Sequence, residues 1–137
     1  MEVYTSYFGM LAKLEQEGII PISIALWKPR WYEGLEYQKI APKAFMLRGG
    51  YSQDEYEIFY KKYILDKISV EEVLKDLDAL SNGKDVAVLC YEKPGDFCHR
   101  HLFANWVLQE TGLVIQEFKP RPKVQKASDF ENNGCLF

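Results

Sequence analysis

Asp85-Val86-Ala87-Val88-Leu89-Cys90, running on through Tyr91-Glu92-Lys93-Pro94-Gly95-Asp96 to Phe97-Cys98-His99-Arg100, is the stretch whose reading decides the fold. Its first half is almost continuously apolar and β-branched, the pattern of a strand covered on both faces. Lys93-Pro94-Gly95-Asp96 reads as a turn. Asp96 is the predicted N-cap, which places Phe97, Cys98 and His99 in the first turn of the helix that follows. That helix is expected to reach about Thr111, with Leu102, Phe103, Trp106 and Val107 facing inward and Gly112 closing it. A buried strand feeding an amphipathic helix is the repeating unit of an α/β protein.

The same alternation appears on either side. Upstream, Glu2–Ser6 reads as a short strand and Phe8–Glu17 as a helix ended by Gly18. Ile19–Trp27 reads as a second strand covered on both faces. Lys28–Tyr51, with its prolines and glycines and the run Pro29-Arg30-Trp31-Tyr32, is irregular. A stretch that long is either a functional loop or holds short helices that periodicity misses. Two capping boxes then open helices, Ser52-Gln53-Asp54-Glu55 and Ser69-Val70-Glu71-Glu72, the second stopping near Asn82-Gly83. Tyr56, Phe59, Tyr60 and Tyr63 share one helical face, an aromatic stripe suited to core and boundary packing. Downstream, Leu113–Phe118 reads as a last strand. Lys119-Pro120-Arg121-Pro122-Lys123 cannot continue a central one, because proline lacks the ladder donor. The reading is one α/β domain over residues 1–118, a sandwich on a mainly parallel sheet of four strands or slightly more, with residues 119–137 as an extension.

Composition narrows the function. The chain has 137 residues, 47% of them hydrophobic, 15% aromatic and 27% charged, with a net charge of −3. That much apolar material fills one core without disulfides or a structural metal. The aromatic surplus suits a cleft wall. An acidic balance argues against general nucleic-acid binding, which rests on many Lys and Arg. No apolar run approaches the roughly 20 residues of a membrane helix, and no secretion signal opens the chain. The expected setting is therefore cytoplasmic, and the three cysteines are expected as free thiols.

In parallel α/β sheets, ligands bind beyond the carboxyl ends of the strands. That rule gathers Thr5 and Ser6, then Lys28 to Tyr32, then Cys90 to Arg100 at one edge. There Cys98 sits where a helix dipole favours thiolate, and His99 can act as an acid or base. Glu92 can serve as base or nucleophile. Arg100 can fork onto a phosphate or carboxylate, aided by Lys28 or Arg30, while Trp31 and Tyr32 can stack on a planar ring. Thr5, Ser6, Arg30, Trp31, Tyr32, Cys90 and Arg100 thus form the expected binding set, and Glu92, Cys98 and His99 the expected chemical set. Each has a plainer alternative: Cys90 as a small core residue, Arg100 paired with Glu92 or Asp96, His101 facing solvent. Cys90, Cys98 and His99, with His101 or Cys135, could also ligate a metal. However, a single Cys-x7-Cys-His falls short of the paired spacings of structural zinc. Gly-rich nucleotide fingerprints are absent, so no cofactor is expected.

At these residues the chain resembles the bacterial and archaeal family catalogued as domain of unknown function 488. The resemblance is carried by Tyr4-Thr5-Ser6-Tyr7-Phe8, Ile22-Ser23-Ile24-Ala25, Pro29-Arg30-Trp31-Tyr32, Ile40-Ala41-Pro42, and above all Leu89-Cys90-Tyr91-Glu92 with Cys98-His99-Arg100. It covers roughly residues 2–108. It implies a Rossmann-like three-layer domain with a pocket around the cysteine segment, and no particular reaction. The expected partner is a small anionic ligand, nucleotide-like or phosphorylated, and an enzyme acting on it ranks just ahead of a module that only binds it. The competing readings are a non-catalytic sensing module and a thiol-redox or metal-binding protein.

Overall fold

The computed structural model describes residues 1–91 and 98–121. Five strands form one sheet in the order β3-β2-β4-β1-β5, and every pairing is parallel. They are β1 (Val3–Tyr7), β2 (Ile20–Ser23), β3 (Leu35–Glu36), β4 (Val86–Cys90) and β5 (Gln116–Glu117). The helices are α1 (Leu11–Gln16), α2 (Ala44–Arg48), α3 (Gln53–Tyr63), α4 (Val70–Ser81) and α5 (His99–Thr111). No described helix is long and apolar enough to cross a membrane.

Strand alternation sends successive side chains to opposite faces, and the two faces carry separate cores. Val3, Ile22, Ile24, Val86 and Val88 meet Tyr60, Val73, Leu77, Phe103 and Val107 of α3, α4 and α5. Ala25, Ala87 and Leu89 meet Phe8, Leu14 and Tyr32 on the α1 side. Every residue of β4 is buried, as a strand covered on both faces must be. Each fully buried Leu, Val or Phe in these cores is worth about 1.5–3 kcal/mol. The result is the expected three-layer, Rossmann-like α/β sandwich.

The helix signals act as their chemistry predicts. Both halves of the capping box form at Ser52 and Glu55, and Ser69 accepts from the Glu72 amide. Asn82 ends α4 in the left-handed region, and Gly112 ends α5 there at φ 78°.

Four local expectations are corrected. The N-cap of α5 is Cys98, not Asp96, so the helix begins at His99; Asp96 itself lies outside the described residues. The strand expected over Ile19–Trp27 ends at Ser23, because the Ser23 hydroxyl takes the Ala25 amide at 3.3 Å and turns the chain away. The helix expected from Phe8 starts as a 3-10 turn, Phe8–Met10, with no side-chain cap on Tyr7. The last strand is only Gln116–Glu117, with Leu113 and Val114 exposed before it. The long irregular stretch holds β3, a 3-10 turn at Gln38–Ile40 and α2, elements too short to show a period.

This topology positions the site. Strands β1 and β4 are neighbours, with Tyr7 opposite Cys90. After β1 the chain crosses to the α1 face, and after β4 to the α5 face. Neighbouring strands whose connections leave on opposite sides open a crevice between them, the switch point of an open parallel sheet.

Candidate functional site

Cys90 ends β4, and Cys98 and His99 stand at the start of α5, and the three side chains come together over the end of the sheet. All three are buried, and their ligand-type atoms lie within 4.8 Å of one another. Cys90 and Cys98 are joined sulfur to sulfur, with their Cα atoms 7.3 Å apart. For this pair the expectation of free thiols is corrected, since the helix start places Cys98 directly against the end of β4.

The imidazole of His99 has a defined tautomer. Its Nε2 lies 2.8 Å from the carbonyl oxygen of Ile24. A carbonyl only accepts, so Nε2 carries the proton and Nδ1 keeps its lone pair. That lone pair faces Cys98 Sγ at 3.9 Å. Burial, the largest influence, holds the His99 pKa down to about 4, and the Arg100 charge adds to it, against the opposing effect of the Ile24 bond. The ring is therefore neutral at pH 7. Tyr60 packs beside it, ring centroids 5.6 Å apart, and anchors itself by donating to the Ile40 carbonyl at 2.6 Å.

Arg100 is fully buried, and its guanidinium is engaged on two sides. Nε and Nη2 donate to the two carboxylate oxygens of Glu117 at 3.1 and 3.2 Å, and Nη1 donates to Cys90 Sγ at 3.0 Å. Thr5 also donates to Glu117, at 2.6 Å. Among the described residues the carboxylate facing Arg100 is thus Glu117, a residue of the expected last strand. The pairing exists because β5 docks beside β1, a tertiary fact with no local signal. His101 is part-exposed, with Nε2 3.5 Å from Glu117.

Cys90, Cys98 and His99 floor a cavity of about 280 Å³. Its walls are Ala25, Leu26 and Trp27 after β2, Pro42 and Leu47 around α2, Tyr51, Ser52, Gln53 and Tyr56 at the start of α3, and Tyr91 after β4. Tyr91 donates to the Trp27 carbonyl and so ties the two strand ends together. Arg48 lies over the Trp27 ring at 5.4 Å.

The expected residues are thus only partly brought together. Cys90, Cys98 and His99 share the cavity, and Thr5 and Arg100 meet behind it at Glu117. Tyr32 is packed on the α1 side, its hydroxyl donating to the carbonyls of Leu35 at 2.7 Å and Pro21 at 3.2 Å. Burial pushes its pKa up to about 12. Trp31 is 62% exposed and lies edge-on to Phe8, and Arg30 is exposed nearby. Neither Arg30 nor Trp31 lines the cavity. The Ser6 hydroxyl is buried, with no hydrogen-bond partner among the described residues. Glu92 lies outside the described residues. Trp27, Tyr51, Ser52 and Gln53 lie outside the expected binding and chemical sets, and Tyr56 belongs to the aromatic stripe expected to pack, yet all five line the cavity. The place of Trp27 at the carboxyl end of the strand expected over Ile19–Trp27 is the available signal.

Fold and cavity together define a Rossmann-like α/β protein with a cleft, floored by two sulfurs and an imidazole, beyond the carboxyl ends of β2 and β4. The chain belongs to the DUF488 family: residues 20–111, about two thirds of its length, match DUF488-N3a, described as the active DUF488-N3 subclade. The matched segment runs from β2 to the end of α5 and includes every residue lining the cleft. No curated protein and no solved structure matches the chain.

Proposed function

We propose that the cleft binds a small anionic ligand, nucleotide-like or phosphorylated, and that the protein is an enzyme acting on it at the Cys98–His99 floor. The observation that carries this reading is the composition of one cavity. Trp27, Tyr51 and Tyr56 offer flat apolar surface, while Ser52 and Gln53 at the start of α3 and Cys98 and His99 at the start of α5 add polar groups to the same lining. Helix N-termini in the lining favour negative charge. The planar part of the ligand lies against the aromatic walls, and its anionic group turns toward the helix starts, with Arg48 at the rim. A volume of about 280 Å³ suits a small molecule better than a polymer.

In this reading the neutral His99 accepts a proton at Nδ1, and Cys98 supplies the sulfur beside it. Glu92, two positions after Cys90, is a further candidate base. Arg100 and Thr5 support the site through Glu117 and do not touch the ligand themselves. The setting we propose is the cytoplasm, where the Cys90–Cys98 bond is open to reduction and Cys98 is released as a thiol.

The test is calorimetric titration of the reduced protein with nucleoside monophosphates, ribose 5-phosphate and inorganic phosphate, repeated with Trp27→Ala. At least one organic phosphate is expected to bind, with about tenfold loss in the variant if stacking is worth 1–3 kcal/mol. No binding by any of them, or identical binding by wild type and variant, would overturn the reading.

A further inference from the structure

We propose that Cys90, Cys98 and His99 form a three-ligand site for a zinc-class divalent ion, with its fourth position open to the cleft. The inference rests on the geometry of the cavity floor, whatever organic ligand the cleft takes; with the ion bound, His99 Nδ1 and Cys98 Sγ are its ligands in place of the free base and sulfur of the reading above.

Three observations converge on it. The first is the orientation of His99. Its Nε2–H is fixed on the Ile24 carbonyl at 2.8 Å, which turns the Nδ1 lone pair toward the sulfurs. Metal-ligating histidines are usually held in this way, with the other ring nitrogen donating to a carbonyl or carboxylate. The Nδ1 to Cys98 Sγ distance is 3.9 Å. An ion about 2.3 Å from sulfur and 2.0–2.1 Å from nitrogen, in tetrahedral geometry, sets these two atoms about 3.6 Å apart.

The second is the spacing of the backbone. The Cα atoms of Cys90 and Cys98 stand 7.3 Å apart. Bridged cysteines usually lie about 4.4–6.8 Å apart, whereas two sulfurs on one zinc ion are themselves about 3.8 Å apart. The wider spacing suits two ligands around an ion.

The third is charge. Two thiolates and a neutral imidazole balance a divalent cation. The adjacent Arg100 donates to Cys90 Sγ at 3.0 Å, while its own charge is met by Glu117. Two thiolates buried together are costly unless their charge is met, and a bound divalent ion meets it. Soft sulfur with imidazole selects zinc-class ions over magnesium or calcium. Three protein ligands beside an open cleft match the pattern of a reactive zinc site, not a closed structural one. This also accounts for the lack of paired Cys-x2-Cys spacings in the sequence.

Loading requires the dithiol. Opening the Cys90–Cys98 bond takes two electrons and two protons from a dithiol reductant, which is itself oxidised to its disulfide. The incoming ion then displaces the two thiol protons to solvent.

The protein is reduced with a dithiol, freed of reductant under anaerobic conditions and titrated with Zn²⁺ and separately with Co²⁺, with no organic ligand present. The expected result is one ion per chain, thiolate-to-cobalt charge-transfer bands and tetrahedral d–d bands. Affinity should fall at least about tenfold in Cys90→Ser and Cys98→Ser and hold in Cys135→Ser. A second readout needs no variant: Zn²⁺ should protect Cys90 and Cys98, but not Cys135, from maleimide labelling mapped by peptide mass. The proposal is overturned if the reduced wild type holds no stoichiometric ion, or if the ion leaves the labelling of Cys90 and Cys98 unchanged. Because no organic ligand enters either assay, their outcome is separate from that of the phosphate titrations.

Discussion

On the α1 side of the sheet, Phe8 packs against Tyr32 with centroids 5.2 Å apart, and Trp31 lies edge-on to the same ring. The Tyr32 hydroxyl is spent on two backbone carbonyls. On the α5 side, Trp27, Tyr51 and Tyr56 stand around a cavity whose floor holds two sulfurs and an imidazole. Both regions sit at the carboxyl end of the same parallel strands, and both are aromatic. What separates them is the space between the side chains: on one side the rings close on one another, and on the other they line an open cavity. Proximity to the strand ends is thus not enough to make a binding residue. The side on which the connecting helix leaves decides which aromatics serve packing and which surround the cleft.

Substitutions on the two sides should therefore separate stability from binding. The largest loss of stability is expected from Arg100→Met, which strips Glu117 of its buried cationic partner. Removing one member of a buried pair costs about 3–5 kcal/mol, and the part-exposed carboxylate of Glu117 puts the effect near the low end. Denaturant unfolding measures it, and an Arg100→Met, Glu117→Gln double variant should recover part of the loss. Phe8→Ala should cost about 3 kcal/mol through the cavity it leaves; its ring also packs on Tyr91 of the cleft wall at 5.1 Å, so this variant reads stability alone. Tyr32→Phe, on the same side, should cost about 1 kcal/mol for the lost hydroxyl bonds, with binding intact. Trp27→Ala should do the reverse, changing stability by no more than about 0.5 kcal/mol, as exposed substitutions do, while weakening the ligand. If Tyr32→Phe weakens binding and Trp27→Ala does not, the comparison is inverted.

The smallest effect lies away from both regions and serves as the reference. Asp76 accepts from the Tyr37 hydroxyl at 2.6 Å and pairs with Lys39. The Tyr37 bond first, and Lys39 second, hold its carboxyl below the usual range. Its folded pKa is depressed, so its contribution is present above the unfolded value of about 3.9 and is lost as pH falls through the folded value. Tyr37→Phe should flatten that acid limb of the stability profile and leave both the cleft and the α1 side unchanged.

Much of this arrangement is legible in the residues. The capping boxes at Ser52 and Ser69 work because an N-cap hydroxyl and an N3 carboxylate are local partners, needing nothing from the rest of the fold. The run Val86–Leu89 declares a buried strand, and the cysteine segment after it locates the cleft floor. What stays hidden depends on contacts between distant segments. Glu117 becomes the partner of Arg100 only once β5 lies beside β1. Trp27, and not Trp31, reaches the cleft because the Ser23 hydroxyl turns the chain early. α2 is five residues long, too short for a periodic pattern to repeat.

The central claim, that binding belongs to the α5 side, is tested most directly by the indole N–H resonances of the three tryptophans. Trp27 lines the cleft, Trp31 lies on the α1 side, and Trp106 packs against the core beneath α5. In a titration of the reduced protein with a nucleoside monophosphate, the Trp27 signal should move with saturation while Trp31 and Trp106 hold still. A saturable shift of Trp31 with Trp27 unmoved, or no indole moving at all, would contradict the account.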